Sequence, residues 1–149
     1  MPQPHRSYLA AVLQGFCPRC REGKLFIHPL DFRFGRVTKM HEHCPVCRQP
    51  TDIEVGFYYG TGYVSYLIAL LITLVFFLLW LLIIGFSFGD RRFIYWLVSD
   101  CMLLFLLQPW LMRFSRTLWL SWFVKYDPEW PVHAPEEPER INREQKNNW

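Results

Sequence analysis

The chain has 149 residues, of which 52% are hydrophobic, 18% aromatic and only 19% charged, with a formal net charge of +3. That length suits one modest domain, or a small module joined to something else. No charged residue falls between Glu54 and Asp90, and only Asp100 falls between Arg92 and Arg113; this excludes an ordinary globular fold, whose elements carry polar residues on their wet side, and the small, scattered positive charge gives no argument for nucleic acid.

The first apolar run, Tyr8 to Leu13, is shorter than a signal-peptide core and is followed by cysteines instead of a small-residue cleavage site. The N-terminus is therefore read as retained. Residues 1–54 read as a polar N-terminal region, with short strands expected at Lys24 to Ile27, Phe32 to Phe34 and Arg36 to Thr38, separated by Pro29 and Gly35.

Four of the five cysteines fall in this region as Cys17-Pro-Arg-Cys20, twenty-three residues, then Cys44-Pro-Val-Cys47. A tetrahedral zinc ion takes four soft ligands at about 2.3 Å, and a Cys-x-x-Cys turn delivers two thiolates from one tight loop whose amides point at the sulfurs. The doubled spacing is far more specific than a single turn, and it predicts a small β-type zinc ribbon over 17–47 with one structural ion. Gly23 is expected to supply a positive φ after the first turn. Arg19, Arg21, Lys24 and Arg48 are expected to offset the net −2 charge of a four-thiolate site. The same four ligands also suit a rubredoxin-like iron. Disulfides would need an oxidising compartment, and a thiol-disulfide oxidoreductase would want one such turn opening a helix in a βαβ unit, which the pattern lacks. His28, His41 and His43 are read as surface residues. A ribbon of about forty residues buries too little apolar surface to fold alone, so metal binding energy is expected to be its folding energy.

Residues 63–86 contain seventeen Leu, Ile, Val and Phe among twenty-four, and at about 1.5 Å per residue they reach roughly 36 Å, enough to cross a bilayer. Residues 93–112 form a second candidate span that includes Asp100, Gln108 and Pro109. Its ten Leu, Ile, Val and Phe contribute roughly −3 to −6 kcal/mol on the insertion scale against about +2.5 to +3.5 for a central Asp. It inserts with little surplus, and packing against the first span as a hairpin helps it. Two antiparallel spans put Thr73 near the height of Asp100, which predicts a hydrogen bond between them or a contact of Asp100 with a partner; the other reading of an intramembrane carboxylate is proton or ion handling. Cys101 is read as a packing residue. Gln108-Pro109 predicts a kink.

Arg113 and Arg116 are expected to end the span and snorkel to the interface. Residues 113–126, rich in Trp and Phe without a clean amphipathic face, read as an interfacial aromatic anchor or an extension of the second helix. The aromatics Phe57, Tyr58, Tyr59 and Tyr63 at one end and Phe86, Phe88, Phe93, Tyr95 and Trp96 at the other are expected to mark the membrane interfaces. Residues 127–149, with four prolines and six acidic residues, read as a disordered, acidic, Pro-rich tail. Eight Lys and Arg precede the first span, two lie in the connection and six follow the second. The positive-inside rule then makes both termini cytoplasmic.

The run Cys17-Pro-Arg-Cys20-Arg-Glu-Gly23-Lys24-Leu25-Phe26, the second Cys-Pro-x-Cys and two spans to its C-terminal side resemble the bacterial membrane-protein family catalogued as domain of unknown function 983. The resemblance covers roughly residues 13 to 126. This chain departs from the family pattern at Arg48, where the family usually has Gly. The resemblance implies a bacterial inner-membrane location and an accessory role beside an aerobic respiratory oxidase. The expectation is thus a mainly α membrane protein: a two-helix hairpin in the lipid bilayer with an N-terminal zinc ribbon, non-enzymatic, serving a larger membrane complex or a homo-oligomer. No small-molecule substrate is inferred. An iron-loaded ribbon for electron transfer or redox sensing, and an oligomeric transporter built on Asp100, are the alternatives.

Overall fold

The computed structural model describes residues 6–54, 56–85 and 91–135. Helix α1, Tyr8–Gln14, starts where the Ser7 side chain accepts a hydrogen bond from the Ala10 amide and stops at Gly15, whose φ of 75° closes the helix. The Gly15 amide caps the Ala11 and Val12 carbonyls. A Cβ there would also meet the Phe26 ring at 2.9 Å.

Among the described residues the cysteine-bearing segment holds no strand. Only isolated antiparallel pairings occur, Phe16 with Lys24, Phe26 with Met40 and His43 with Pro50. The expected β-type ribbon is corrected accordingly, and two of its expected strands are replaced by the short helix α2, Phe34–Val37. The pairing cannot continue past Ile27 and Lys39, because the next donor would be Pro29, which has no N–H. Beyond it, Arg113 takes the carbonyls of His28, Pro29 and Val37, each at 2.8 Å, and Arg116 takes that of Thr38 at 2.9 Å.

A 3₁₀ turn, Phe57–Gly60, leads into α3, Thr61–Ile83, and after the connection comes α4, Arg92–Phe123. These are two helices long and apolar enough to cross a membrane. Helix α3 ends short of the expected residue 86 because Gly85, at φ 76°, turns the chain, and Arg92 donates to the Ile84 carbonyl at 2.9 Å. Phe86, Phe88 and the rest of 86–90 lie outside the described residues.

Helix α4 answers the question left open over 113–126: it runs on through Pro109 to Phe123 as one helix of 32 residues. Beyond Met112 the apolar side chains find protein partners. Leu120 and Val124 are buried with Leu25, Phe26, Phe57 and the four cysteines in one core, and Trp119 packs against it. Helix α1 lies along the same stretch, with the Tyr8 hydroxyl 3.0 Å from Ser121 Oγ and Trp110 Nε1 donating to the Leu13 carbonyl at 3.2 Å. Phe57 and Tyr58, expected at a membrane interface, pack in and against this core; Phe57 is buried, 5.0 Å from the Phe123 ring and 5.1 Å from that of Tyr58. Gly60 admits the close approach of Trp119, since a Cβ would sit 2.4 Å from that ring.

Arg113 and Arg116 are therefore clamps, corrected from their expected role as snorkelling residues. Arg113 also lies over the Phe26 ring at 4.8 Å and Arg116 over Tyr58 at 5.0 Å. Replacing Arg113 by Ala is expected to lower the stability of the N-terminal head by about 1.5–3 kcal/mol, the contribution of a charge-assisted hydrogen bond in a site partly open to solvent. Amide exchange across residues 27–39 should accelerate while that of α3 stays unchanged. Unaltered exchange in 27–39 would show that the clamp contributes little.

Candidate metal centre

The two knuckles fold alike. The amide of Arg21 donates to the Cys17 carbonyl at 2.8 Å and that of Arg48 to the Cys44 carbonyl at 3.0 Å, closing each Cys-Pro-x-Cys turn. Each turn leaves through a left-handed residue, Arg21 at φ 58° and Arg48 at φ 57°. Gly23, expected to hold the positive φ, is needed for another reason: a Cβ on it would lie 2.3 Å from Cys44 Sγ. Its amide points at Cys20 Sγ at 3.5 Å, supplying one of the N–H···S contacts that favour a thiolate.

All four sulfurs lie within 4.8 Å of one another and all four residues are buried. Cys17 and Cys47 are 3.7 Å apart and Cys20 and Cys44 3.8 Å apart. A disulfide needs about 2.05 Å, whereas a tetrahedron of thiolates about 2.3 Å from a central ion has edges of about 3.8 Å. The cluster can hold one metal ion, with every ligand supplied by the chain. Among the described residues, the group of metal-binding side chains holds no histidine.

Thiols this close share protons. Hydrogen bonding to Cys20, then Cys44 and Cys47, together with burial, pushes the Cys17 thiol up, while hydrogen bonding from Cys17 first pulls the Cys20 thiol down. The Cys44 thiol falls to about 7, chiefly through its hydrogen bond with Cys17. A cation bound by four thiolates must displace these protons, so its retention weakens as pH falls.

Arg19, inside the first knuckle, does not serve the sulfurs as expected. Its buried guanidinium reaches away to Asp127 Oδ2 at 3.3 Å and to the carbonyls of His133 and Ala134 at 3.0 and 2.9 Å. The Asp127 amide answers with a bond to the Arg19 carbonyl at 3.2 Å. Burial opposes ionisation of Asp127, but hydrogen bonds from the Glu129 amide, His133 and Arg19 outweigh it and hold the carboxyl below its usual value. Residues 127–135 are thereby folded in turns against the knuckle. This corrects the expected start of a disordered tail at Asp127; residues 136–149 lie outside the described residues.

Asp100 sits elsewhere, buried between the two long helices. Thr73 Oγ1 donates to its Oδ2 at 3.0 Å, joining the pair that helix heights alone had placed together, and Oδ1 is buried with no hydrogen-bond partner among the described residues. Cys101 beside it is exposed. The contributors that sequence reasoning missed are Arg113, Arg116, Leu120, Val124 and Asp127, all more than seventy residues from their partners in the knuckles and loops.

No family model matches the chain, and neither does any curated protein or solved structure.

Two substitutions separate the roles of space and backbone at this centre. Gly23→Ala should lower metal affinity about 10- to 100-fold, as loss of a ligand-orienting neighbour does. Arg48→Gly relieves a left-handed strain of about 1–2 kcal/mol and adds unfolded-state freedom of about 0.5–1 kcal/mol, so it should leave stability unchanged or raise it slightly. Competition with a chromogenic chelator and thermal unfolding check both, and equal metal affinity in Gly23→Ala would contradict the packing argument.

Proposed function

We propose that this chain is a two-span membrane protein whose cytoplasmic head, stabilised by one zinc ion on Cys17, Cys20, Cys44 and Cys47, acts as an assembly or interaction module for a larger membrane complex. The observation that carries the reading is the closed, buried set of four thiols. When bound, the ion supplies structural crosslinking; with all its positions taken by protein it offers none to a substrate. What the chain itself does is hold a surface in place. Arg113 and Arg116 fasten the head's loops to α4, and Arg19 fastens the first knuckle to the segment after it.

Membrane insertion is supported by the faces of α3. Of its 23 residues only Thr61 and Val64 are buried, and an apolar helix so exposed is untenable in water. The distribution of Lys and Arg supports cytoplasmic termini. The resemblance to the family catalogued as domain of unknown function 983 supports a bacterial inner-membrane accessory protein, with an aerobic respiratory oxidase as the partner complex.

Extraction in a mild detergent, followed by affinity isolation and mass spectrometry, should recover the chain with subunits of such a complex and about one zinc per chain. A stable monomer without partners would sink the assembly reading. A coloured protein containing iron would instead favour electron transfer or redox sensing through the same four thiolates. Cys17→Ser should release the metal and unfold the head while the chain stays membrane-bound.

A further inference from the structure

The loop after Phe26, taken through Phe34 at the start of α2, has large apolar side chains that the head leaves about half exposed. Leu30, Phe32 and Phe34 are between 44% and 56% exposed. Both stems of this loop are fastened to α4, by Arg113 on the His28, Pro29 and Val37 carbonyls and by Arg116 on that of Thr38. Its tip runs down the helix, where the Phe32 ring stacks on that of Phe105 at 6.0 Å. Phe105 is eight residues, or about 12 Å, before Arg113 along α4.

The height of that contact follows from the hairpin's own register. Thr73 bonds Asp100, so antiparallel α3 and α4 bring Tyr66 level with Leu107, seven residues away on each helix. Tyr66 and Tyr63, exposed one turn apart on α3, have the place and the amphipathic rings of an interfacial belt. Phe105 then lies about 3 Å below Tyr66, at the edge of the hydrocarbon. Arg33, Arg36 and Lys39 are exposed around the apolar tip against a single Asp31, a charge balance that suits anionic lipid headgroups.

We propose that the loop carrying Leu30, Phe32 and Phe34, stacked through Phe32 on Phe105, inserts into the interfacial layer of the same membrane that the hairpin crosses, with lipid acyl chains and anionic headgroups as its ligands. The occupant is lipid because the loop's apolar tip continues the exposed apolar band of α4 without a break, Phe105 being part of both. The head is thus held against the bilayer by its own loop as well as by α4. This inference rests on the reading that α3 and α4 cross a membrane.

Photocrosslinking separates the two claims. The full, metal-loaded chain, reconstituted in phosphatidylethanolamine and phosphatidylglycerol vesicles, would carry a photoreactive diazirine amino acid at position 30, or at 34 as a second placement. Position 82, exposed on α3, serves as the positive control, and position 132, exposed beyond α4, as the negative one. Retained metal shows that each substituted chain is folded. Phospholipid adducts at 82 and at 30 or 34, at least tenfold above those at 132, are expected. Adducts at 82 but at neither 30 nor 34 would overturn the loop insertion and leave the spans intact. Adducts at 132 equal to those at 30 would also overturn it, since the loop would then have no special depth. No adducts at 82 would overturn the membrane reading itself and the inference with it.

Discussion

Everything in the head depends on four buried thiols that meet in its core. A core normally excludes groups that want a proton or a cation, because burying an uncompensated charge costs far more than apolar packing returns. Here Cys17, Cys20, Cys44 and Cys47 occupy the positions that Leu or Val would take in a larger domain, alongside Leu25, Phe26, Leu120 and Val124. One metal ion bound between them would satisfy all four sulfurs at once. The close approach of Gly23 to Cys44 Sγ shows how little room that arrangement leaves.

The second constraint is that the core is shared. Helix α4 supplies Leu120, Val124 and the packing of Trp119, while Arg113 and Arg116 hold the carbonyls of the loop between Phe26 and Met40. The head is therefore no autonomous bead on a stalk; it is built around the end of the helix that, in the proposed function, crosses the membrane. In the proposed function, metal binding and the placement of the head on α4 are therefore one folding event. Within the helix pair, away from the head, one buried polar group is only partly satisfied. Thr73 gives Asp100 a partner across the helix pair, which offsets part of the cost of a carboxyl in an apolar setting.

The cluster of four cysteines, both long helices and the nearness of Thr73 to Asp100 were legible in the sequence, because each follows from the spacing of residues along the chain. Cys-x-x-Cys turns are set by four residues, and a charge-free run of Leu and Ile announces its own helix. The sheet was not legible as absent, since Lys24 to Ile27 and Arg36 to Thr38 do favour extended backbone. What stops the pairing is Pro29, which has no N–H to donate, and the loop beyond it is held by Arg113 and Arg116, more than seventy residues away. The same distance hid the bond from Arg19 to Asp127, so the segment after α4 looked like the start of a tail. Phe57 and Tyr58 misled for a related reason: an aromatic next to an apolar helix fits a membrane belt or a core equally well, and only the folded partners Trp119 and Phe123 decide between them.

In the proposed function the metal centre and the C-terminal part of α4 fold as one unit. Hydrogen exchange read by mass spectrometry on the detergent-solubilised chain, before and after chelation of its metal, tests it most directly. Chelation is predicted to remove protection from both knuckles and, to a similar degree, from residues 113–123, while residues 61–83 keep theirs. Loss confined to the knuckles, with 113–123 still protected, would contradict it.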